Sequence, residues 1–247
     1  MRERADILLV KLGFFDSRSA ARAAIEAGGV RADGRPVRRA SDRLAMDASL
    51  EARPAHPFVS RGGVKLAHAL DTFGVEVAGW QMLDLGASTG GFTDVLLERG
   101  ARHVNAVDVG HTQMHPRLIA DQRVTVLERT DARDLTPALV NPAPDGVVCD
   151  LSFIGLEKAL GPALQLARPD AVLIALFKPQ FQVGRAHVGR GGVVRDVAAV
   201  EAARTAFAEW LASVGWRAEA WCESPIPGAD GNREWLVLAH RTGDVSH

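Results

Sequence analysis

Leu83-Asp84-Leu85-Gly86-Ala87-Ser88-Thr89-Gly90-Gly91-Phe92-Thr93-Asp94 carries the chain from a strand into a helix through a glycine turn. Trp80 to Leu85 is short and apolar apart from Asp84, the pattern of a buried strand. Beyond the turn, Phe92, Val95 and Leu96 recur at helical spacing until Gly100. Glycine lets the backbone bend sharply and lie against a ligand, and the unpaired N–H groups that open a helix favour an electron-rich partner. Dinucleotide-binding enzymes share this architecture. Their G-x-G-x-x-G fingerprint, counted from Gly86, needs glycine where Ser88 stands, which weakens a dehydrogenase reading.

A strand ending in Asp-x-Gly-x-x-x-Gly-Gly instead resembles the first motif of S-adenosylmethionine-dependent methyltransferases, carried here by Asp84, Gly86, Gly90 and Gly91. On that resemblance Gly86, Ala87, Ser88, Gly90, Gly91 and Phe92 are expected to cradle S-adenosylmethionine. About twenty residues on, the strand Val104 to Val109 ends at Asp108, where a carboxylate accepts hydrogen bonds from both ribose hydroxyls; the alternative is a helix cap or loop residue. Thr125-Val126-Leu127 is a third short strand. In methyltransferase folds the loop after it borders the adenine, which makes Asp131 and Ala132 candidates there; the alternative is that Asp131 caps a turn with Arg133.

The length of 247 residues suits one α/β domain of ordinary size plus a small partner, and 47% hydrophobic content is enough for a core. No apolar run approaches the roughly 18 residues of a membrane span, and the charged start Met1-Arg2-Glu3-Arg4 leads into no signal-peptide pattern, so a cytoplasmic location without stable membrane association is expected. Cys149 and Cys222 have neither disulfide-framework nor zinc-site spacing and read as core thiols; no metal is expected. Residues 1–60 hold 11 Lys/Arg against 8 Asp/Glu, a net +3, leaving −4 for the remainder. The basic share at the front fits a nucleic-acid partner or a solvated surface.

In that front portion Ile7, Leu8, Val10 and Leu12 mark a short helix over residues 4–13. Ser17 reads as the N-cap of Arg18 to Ala27, which places Arg18 and Arg22 on one face. Val30-Arg31-Ala32, the Asp33-Gly34 turn and Pro36-Val37 read as a hairpin. Arg4-Ala5-Asp6, Ser17 to Ala20, Gly28-Gly29-Val30 and Asp33 to Val37 together resemble the S4 RNA-binding module. That resemblance makes Arg4, Arg18, Arg22, Arg35 and Arg38 candidate phosphate contacts, which position an RNA without reading its sequence. Glu51 to Pro57 reads as a linker, dividing the chain into 1–57 and 58–247.

Past the linker, Ser60 stands where it would cap a helix with Leu66, Ala69, Leu70 and Phe73 on its inner side; Lys65, one turn in, is either a surface charge or a site residue. His111 and His115 read as loop residues, since Pro116 argues against a regular helix. Gly146 to Cys149 is a strand that delivers Asp150 at its carboxyl end, where open α/β sheets bind ligands, and one helix is expected through Leu156, Leu160, Ala163, Leu164 and Ala167. Ala171 to Phe177 is a central strand ending at Lys178, which is either a solvated strand end or a placed cation. A helix over Val197–Ser213, a strand Trp216–Cys222 and a final strand from Glu234 to Leu238 complete the chain.

Ser60-Arg61-Gly62-Gly63, the turn Gly86 to Asp94, Asp108-Val109-Gly110, Asp150 to Ile154, Lys178 to Phe181 and Gly231 to Glu234, in that order, resemble the TlyA (haemolysin A) family of rRNA ribose methyltransferases. The resemblance implies an α/β fold with a Rossmann-like, mostly parallel methyltransferase sheet whose last strand is antiparallel, preceded by a small α+β S4 domain. Through the family's relation to FtsJ-type 2′-O-methyltransferases, it implies a Lys-Asp-Lys-Glu tetrad at Lys65, Asp150, Lys178 and Glu234, with Arg61 a further RNA contact. A ribose hydroxyl is a poor nucleophile while the sulfonium methyl is already electrophilic, so activation must act on the hydroxyl. On that resemblance either lysine is a candidate to take the proton: Lys178 would serve as base or as a cation for the forming alkoxide, Asp150 and Glu234 would orient the lysines, and Lys65 would help hold the sugar. The implied partner is ribosomal RNA or a ribosomal subunit, methylated at cytidine. A membrane-active haemolysin and a catalytically silent RNA-binding or assembly protein are the alternatives.

Overall fold

The computed structural model describes residues 2–242, which divide into two compact units between Pro57 and Phe58. In the first, β1 (Arg2–Arg4) precedes α1 (Ala5–Lys11) and α2 (Arg18–Glu26), followed by β2 (Val30–Ala32), β3 (Arg35–Pro36), β4 (Arg43–Ala45) and β5 (Leu50–Ala52). β1 pairs with β4, and β2 lies between β3 and β5, all antiparallel. Leu9, Ala21, Ile25 and Val30 are buried between the helices and the three-stranded sheet. Ser17 caps α2 as expected, its Oγ accepting from the Ala20 N–H at 3.2 Å. Two expectations are corrected. Arg4 belongs to a strand opposite Arg43, not to a helix, and Glu51 and Ala52 belong to β5, so the connection between the units begins later than composition suggests.

The second unit runs α3 (Arg61–Phe73), β6 (Gln81–Leu85), α4 (Gly91–Glu98), β7 (His103–Val107), α5 (Pro116–Ile119), β8 (Val124–Leu127), β9 (Gly146–Cys149), α6 (Leu156–Ala159), α7 (Gly161–Leu166), β10 (Val172–Phe177), α8 (Val197–Ser213), β11 (Trp216–Glu223) and β12 (Trp235–Arg241). The strands form one sheet in the order β11-β12-β10-β9-β6-β7-β8, in which β12 runs against both its neighbours and the other adjacent pairs are parallel. β10 is buried at every position because the sheet is covered on both faces. Leu83, Val147, Ala175 and Phe177 pack towards α6–α8, whereas Met82, Val148, Leu176 and Leu236 pack towards α3 and α4. The alternation of side chains along a strand assigns neighbours in sequence to opposite layers.

Two helices differ from expectation for one reason. Pro116 does not forbid a helix but opens α5 at its first position, where no N–H bond is needed, and the His115 ring accepts from the Arg117 N–H at 3.2 Å. The helix expected through Leu156 to Ala167 is two, α6 and α7, because Gly161-Pro162 lies in its middle and proline begins a helix more readily than it continues one. Cys149 is fully buried, which pushes its thiol up to about 12 and leaves it unreactive; Cys222 is half-buried.

Candidate active site

Two adjoining cavities of about 180 and 290 Å³ lie along the carboxyl ends of the parallel strands and share Gly86, Ser88, Asp150 and Ser152. The turn after β6 forms their floor. Gly86 has φ +78°, and a Cβ built there would stand 2.7 Å from the Asp150 carbonyl oxygen, so only glycine fits. Gly91 opens α4 against the backbone of Gly63 and the hydroxyl of Ser60 with no room for a side chain. No side chain caps α4, and Gly91 and Phe92 at its start line the cleft. Ala87, Ser88 and Phe92 line the same cleft, and Ser88 itself adopts φ +47°. Gly90 supplies the left-handed residue before the helix, with φ +93°.

Asp108 follows β7 and lines the second cavity. Its two oxygens accept the Ser88 N–H at 2.8 Å and the Gly110 N–H at 2.7 Å, so it braces the turn while each oxygen keeps a lone pair for a ligand. Ala132 lines the cavity beside it. Asp131 does not: its carboxylate accepts the Arg133 N–H at 2.9 Å and pairs with the Arg133 guanidinium at 2.7 Å, which holds its pKa low. The side chain thus takes up the turn-capping alternative. Ser60 occupies the N-cap position of α3 without capping it; its hydroxyl belongs to the cavity wall instead.

The four tetrad positions form two ion pairs at this sheet edge. Lys178 Nζ lies 2.6 Å from Asp150 Oδ1 and donates to Ser152 Oγ at 2.8 Å, and all three residues line the first cavity. Lys65, buried on α3, donates to Glu234 Oε2 at 2.5 Å, and this pair sits outside the cavity lining. The topology explains the convergence. β10 and β12 pair Phe177 with Trp235, so the next step outward sets Lys178 opposite Glu234, while Asp150 leaves the neighbouring β9. Lys65 lies one turn from Gly62, whose Cβ would stand 3.5 Å from Asp150 Oδ2.

Two features were not legible from the sequence. Asp84 is fully buried in β6, where burial pushes its carboxyl up to about 7, the Thr93 hydroxyl donates to Oδ2 at 2.6 Å, and Oδ1 has no partner among the described residues. Phe153 is 91% exposed at φ +68° on the rim of the second cavity. Its one ring contact is with Phe181, at 5.4 Å between centroids, and an apolar ring in the left-handed region that is so exposed is a signal that only coordinates give.

The arginine candidates divide. Arg4 and Arg18 both clamp the buried Asp6, with Arg4 Nε at 3.0 Å and Arg18 Nη2 at 2.8 Å, so Arg4 ties β1 and Arg18 ties α2 to the start of α1. Arg22, Arg35 and Arg38 are exposed, with no side-chain partner among the described residues. Arg61 is exposed and donates to the Pro227 carbonyl at 2.7 Å.

The model of the FtsJ-like methyltransferase family matches residues 58–241, nearly all of this unit. The chain belongs to that family. The S4 domain model matches residues 3–48. Among similar proteins, the 16S/23S rRNA (cytidine-2′-O)-methyltransferase TlyA of Mycobacterium tuberculosis is 45% identical over 96% of this chain and 89% of its own length. Hemolysin A of Brachyspira hyodysenteriae is 36% identical over 95% of this chain and 98% of its own. A solved candidate hemolysin from Streptococcus thermophilus superposes with a TM-score of 0.78 at 34% identity, covering 99% of this chain and 91% of that one. Chains named for methylation and for haemolysis are thus relatives of the same protein, as the resemblance read from the sequence implies. S-adenosylmethionine is the cofactor that goes with this FtsJ-like fold, and the glycine floor and the Asp108 carboxylate fit it. Among the described residues no helix is long and apolar enough to cross a membrane, and no cluster of His, Cys, Asp and Glu is arranged to hold a metal ion.

Proposed function

We propose that this protein methylates the 2′-oxygen of a cytidine ribose in ribosomal RNA, acting in the cytoplasm on rRNA or a ribosomal subunit. The observation that carries the reading is the Lys178–Asp150 contact in the wall of the glycine-floored cleft, with the buried Lys65–Glu234 pair behind it. The M. tuberculosis relative is named for this reaction.

S-adenosylmethionine, when bound, supplies a methyl group already activated on sulfur. The protein's residues act on the acceptor. Lys178 Nζ stands at the cavity wall between Asp150 and Ser152, placed to take the proton of an incoming 2′-hydroxyl or to hold the oxygen anion as it forms. Asp150 and Ser152 fix the direction of that amine. The Lys65–Glu234 pair, buried behind the edge, locks the end of β12 to α3 and so fixes the position opposite Lys178. Holding acceptor and donor in line accounts for a large part of the rate. Gly86, Ala87, Ser88, Gly90, Gly91, Phe92, Asp108 and Ala132 hold the donor, with Asp131 fixing the loop that bears Ala132. Phe153 offers a flat face to a base turned out of its stack. Arg22, Arg35 and Arg38 take phosphates, and Arg4 and Arg18 hold the platform that presents them.

The test is transfer of labelled methyl from S-adenosylmethionine to rRNA or ribosomal subunits, with the modified riboses mapped. Methyl label on a 2′-oxygen is expected; label on a base, or none on any RNA, overturns the proposal.

A further inference from the structure

Beyond the cofactor cleft lies a larger cavity, about 530 Å³, within the range of roughly 300–1,000 Å³ for small-ligand sites. Trp235 lines it, and its charged lining is Arg195, Arg204 and Arg233 with one acid, Glu201. The Arg204 guanidinium stands 5.6 Å from the Trp235 ring and 4.6 Å from the Trp221 ring; its Nη1 donates to Glu201 at 2.8 Å, and its buried Nε has no partner among the described residues. Arg233 lies 5.5 Å from the same Trp235 ring and is held in a fork by Glu223 at 2.8 and 2.6 Å. Arg195 is exposed and has no partner among the described residues. Val197 adds an apolar lip, 68% exposed. An indole that borders a cavity beside planar cations has the chemistry that takes an aromatic base together with a phosphate.

The cavity is also tied to the reaction centre. Pro179 lines it and follows Lys178, while Trp235 follows Glu234, so alternation along β12 sends Glu234 towards α3 and Trp235 towards α8 from one strand end. Buried Asn232 staples the loop that carries Arg195: its Oδ1 accepts from the Val194 N–H at 2.8 Å and its Nδ2 donates to the Gly192 carbonyl at 2.9 Å. Arg195, Arg233 and Glu234 are thereby held in one frame.

We propose that this cavity is a nucleotide subsite, taking an unpaired nucleotide of the RNA strand next to the one whose ribose meets Lys178, its base against Trp235 and its phosphate among the arginines. The inference rests on the proposed RNA methylation and adds where the flanking strand runs. An acidic peptide would use the arginines but leave the indole face empty.

The full chain is tested with Arg195→Glu and with Arg204→Lys, which keeps charge but loses the planar fork. Both are expected to raise KM for rRNA about tenfold and leave kcat within about threefold, with unchanged S-adenosylmethionine affinity by calorimetry. In parallel, wild-type protein is photocrosslinked to rRNA bearing 4-thiouridine, and the adduct is expected on the peptides holding Arg195 or Trp235. If wild-type protein methylates RNA but neither variant changes KM and no adduct falls there, the subsite is overturned and the methylation reading stands. If it fails to methylate yet crosslinks at this cavity, the subsite stands and the methylation reading falls. No methylation and no crosslink anywhere would end both.

Discussion

Lys178 and Glu234 leave opposing ends of an antiparallel pair, so one register decides whether both reach the same edge. With Asp150 delivered by β9, replacing Lys178 by Ala removes the one amine in the cavity wall. Turnover is expected to fall by about 10²- to 10⁴-fold, the usual worth of a placed proton acceptor, with S-adenosylmethionine affinity changed only a few-fold. Single-turnover methyl transfer and calorimetry check the two halves, and unchanged turnover would remove Lys178 from the chemistry. Phe153→Ala is expected to weaken RNA binding by about 5- to 150-fold, as loss of one base–aromatic stack does, without lowering Tm, because the ring is exposed. Asp84 gives a pH signature. Its carboxyl titrates near 3.8 when unfolded and near 7 when buried in the fold, so between those values the folded state holds the extra proton. Its contribution is therefore fully present below about pH 4 and is lost as pH rises through 7, by on the order of a few kcal/mol. Asp84→Asn is expected to flatten the decline in stability between pH 5 and 8; thermal unfolding across that range shows it, and an unchanged slope would mean that Asp84 is already ionised at pH 5.

At the scale of elements, the first unit depends on Asp6, at the start of α1, which accepts hydrogen bonds from Arg4 on β1 and Arg18 on α2. Those guanidinium groups hold its carboxyl down at about 2. The stabilisation is present above the unfolded value of 3.8 and disappears as pH falls through 2. Because both arginines reach solvent, it is discounted to about 1 kcal/mol. Arg18→Ala is thus expected to loosen this unit as well as remove a charge, whereas Arg22→Ala changes charge alone and should lower the slope of log affinity against log salt by about one. Filter binding at several salt concentrations, with Tm measured alongside, separates the two effects. The sequence hid this second use because Arg18 and Arg22 share a helix face, while Asp6 lies twelve residues away from Arg18. β4 and β5 were illegible for a different reason: Arg43-Leu44-Ala45 and Leu50-Glu51-Ala52 are three residues each, too short for alternation to be read, and are fixed as strands by β1 and β2. The central strands were legible because β10 is a long apolar run and the glycine turn can be built in few ways.

Across the whole molecule, the sheet brings the ends of β9 and β10 and the start of β12 to one edge, which is where Asp150, Lys178 and Glu234 stand, whatever the loop lengths between them. The larger cavity beside Trp235 was not legible: Arg195, Arg204 and Arg233 come from a loop, a helix and a strand end, and no spacing links them. Each unit has its own buried core, Leu9, Ala21 and Ile25 in one and the two layers about the large sheet in the other. A domain with its own core folds without its neighbour. Residues 58–247 alone are therefore expected to unfold cooperatively and to bind S-adenosylmethionine with the affinity of the full chain, since every residue lining the cofactor cleft lies in that unit. Methylation of rRNA by this fragment should show KM raised at least about tenfold and a shallower salt dependence, because the exposed Arg22, Arg35 and Arg38 go with the first unit. Measuring both constants on one preparation makes the result decisive. A fragment that binds cofactor normally and methylates rRNA with unchanged KM would return those arginines to the solvated surface and leave recognition of RNA to the edge of the large sheet.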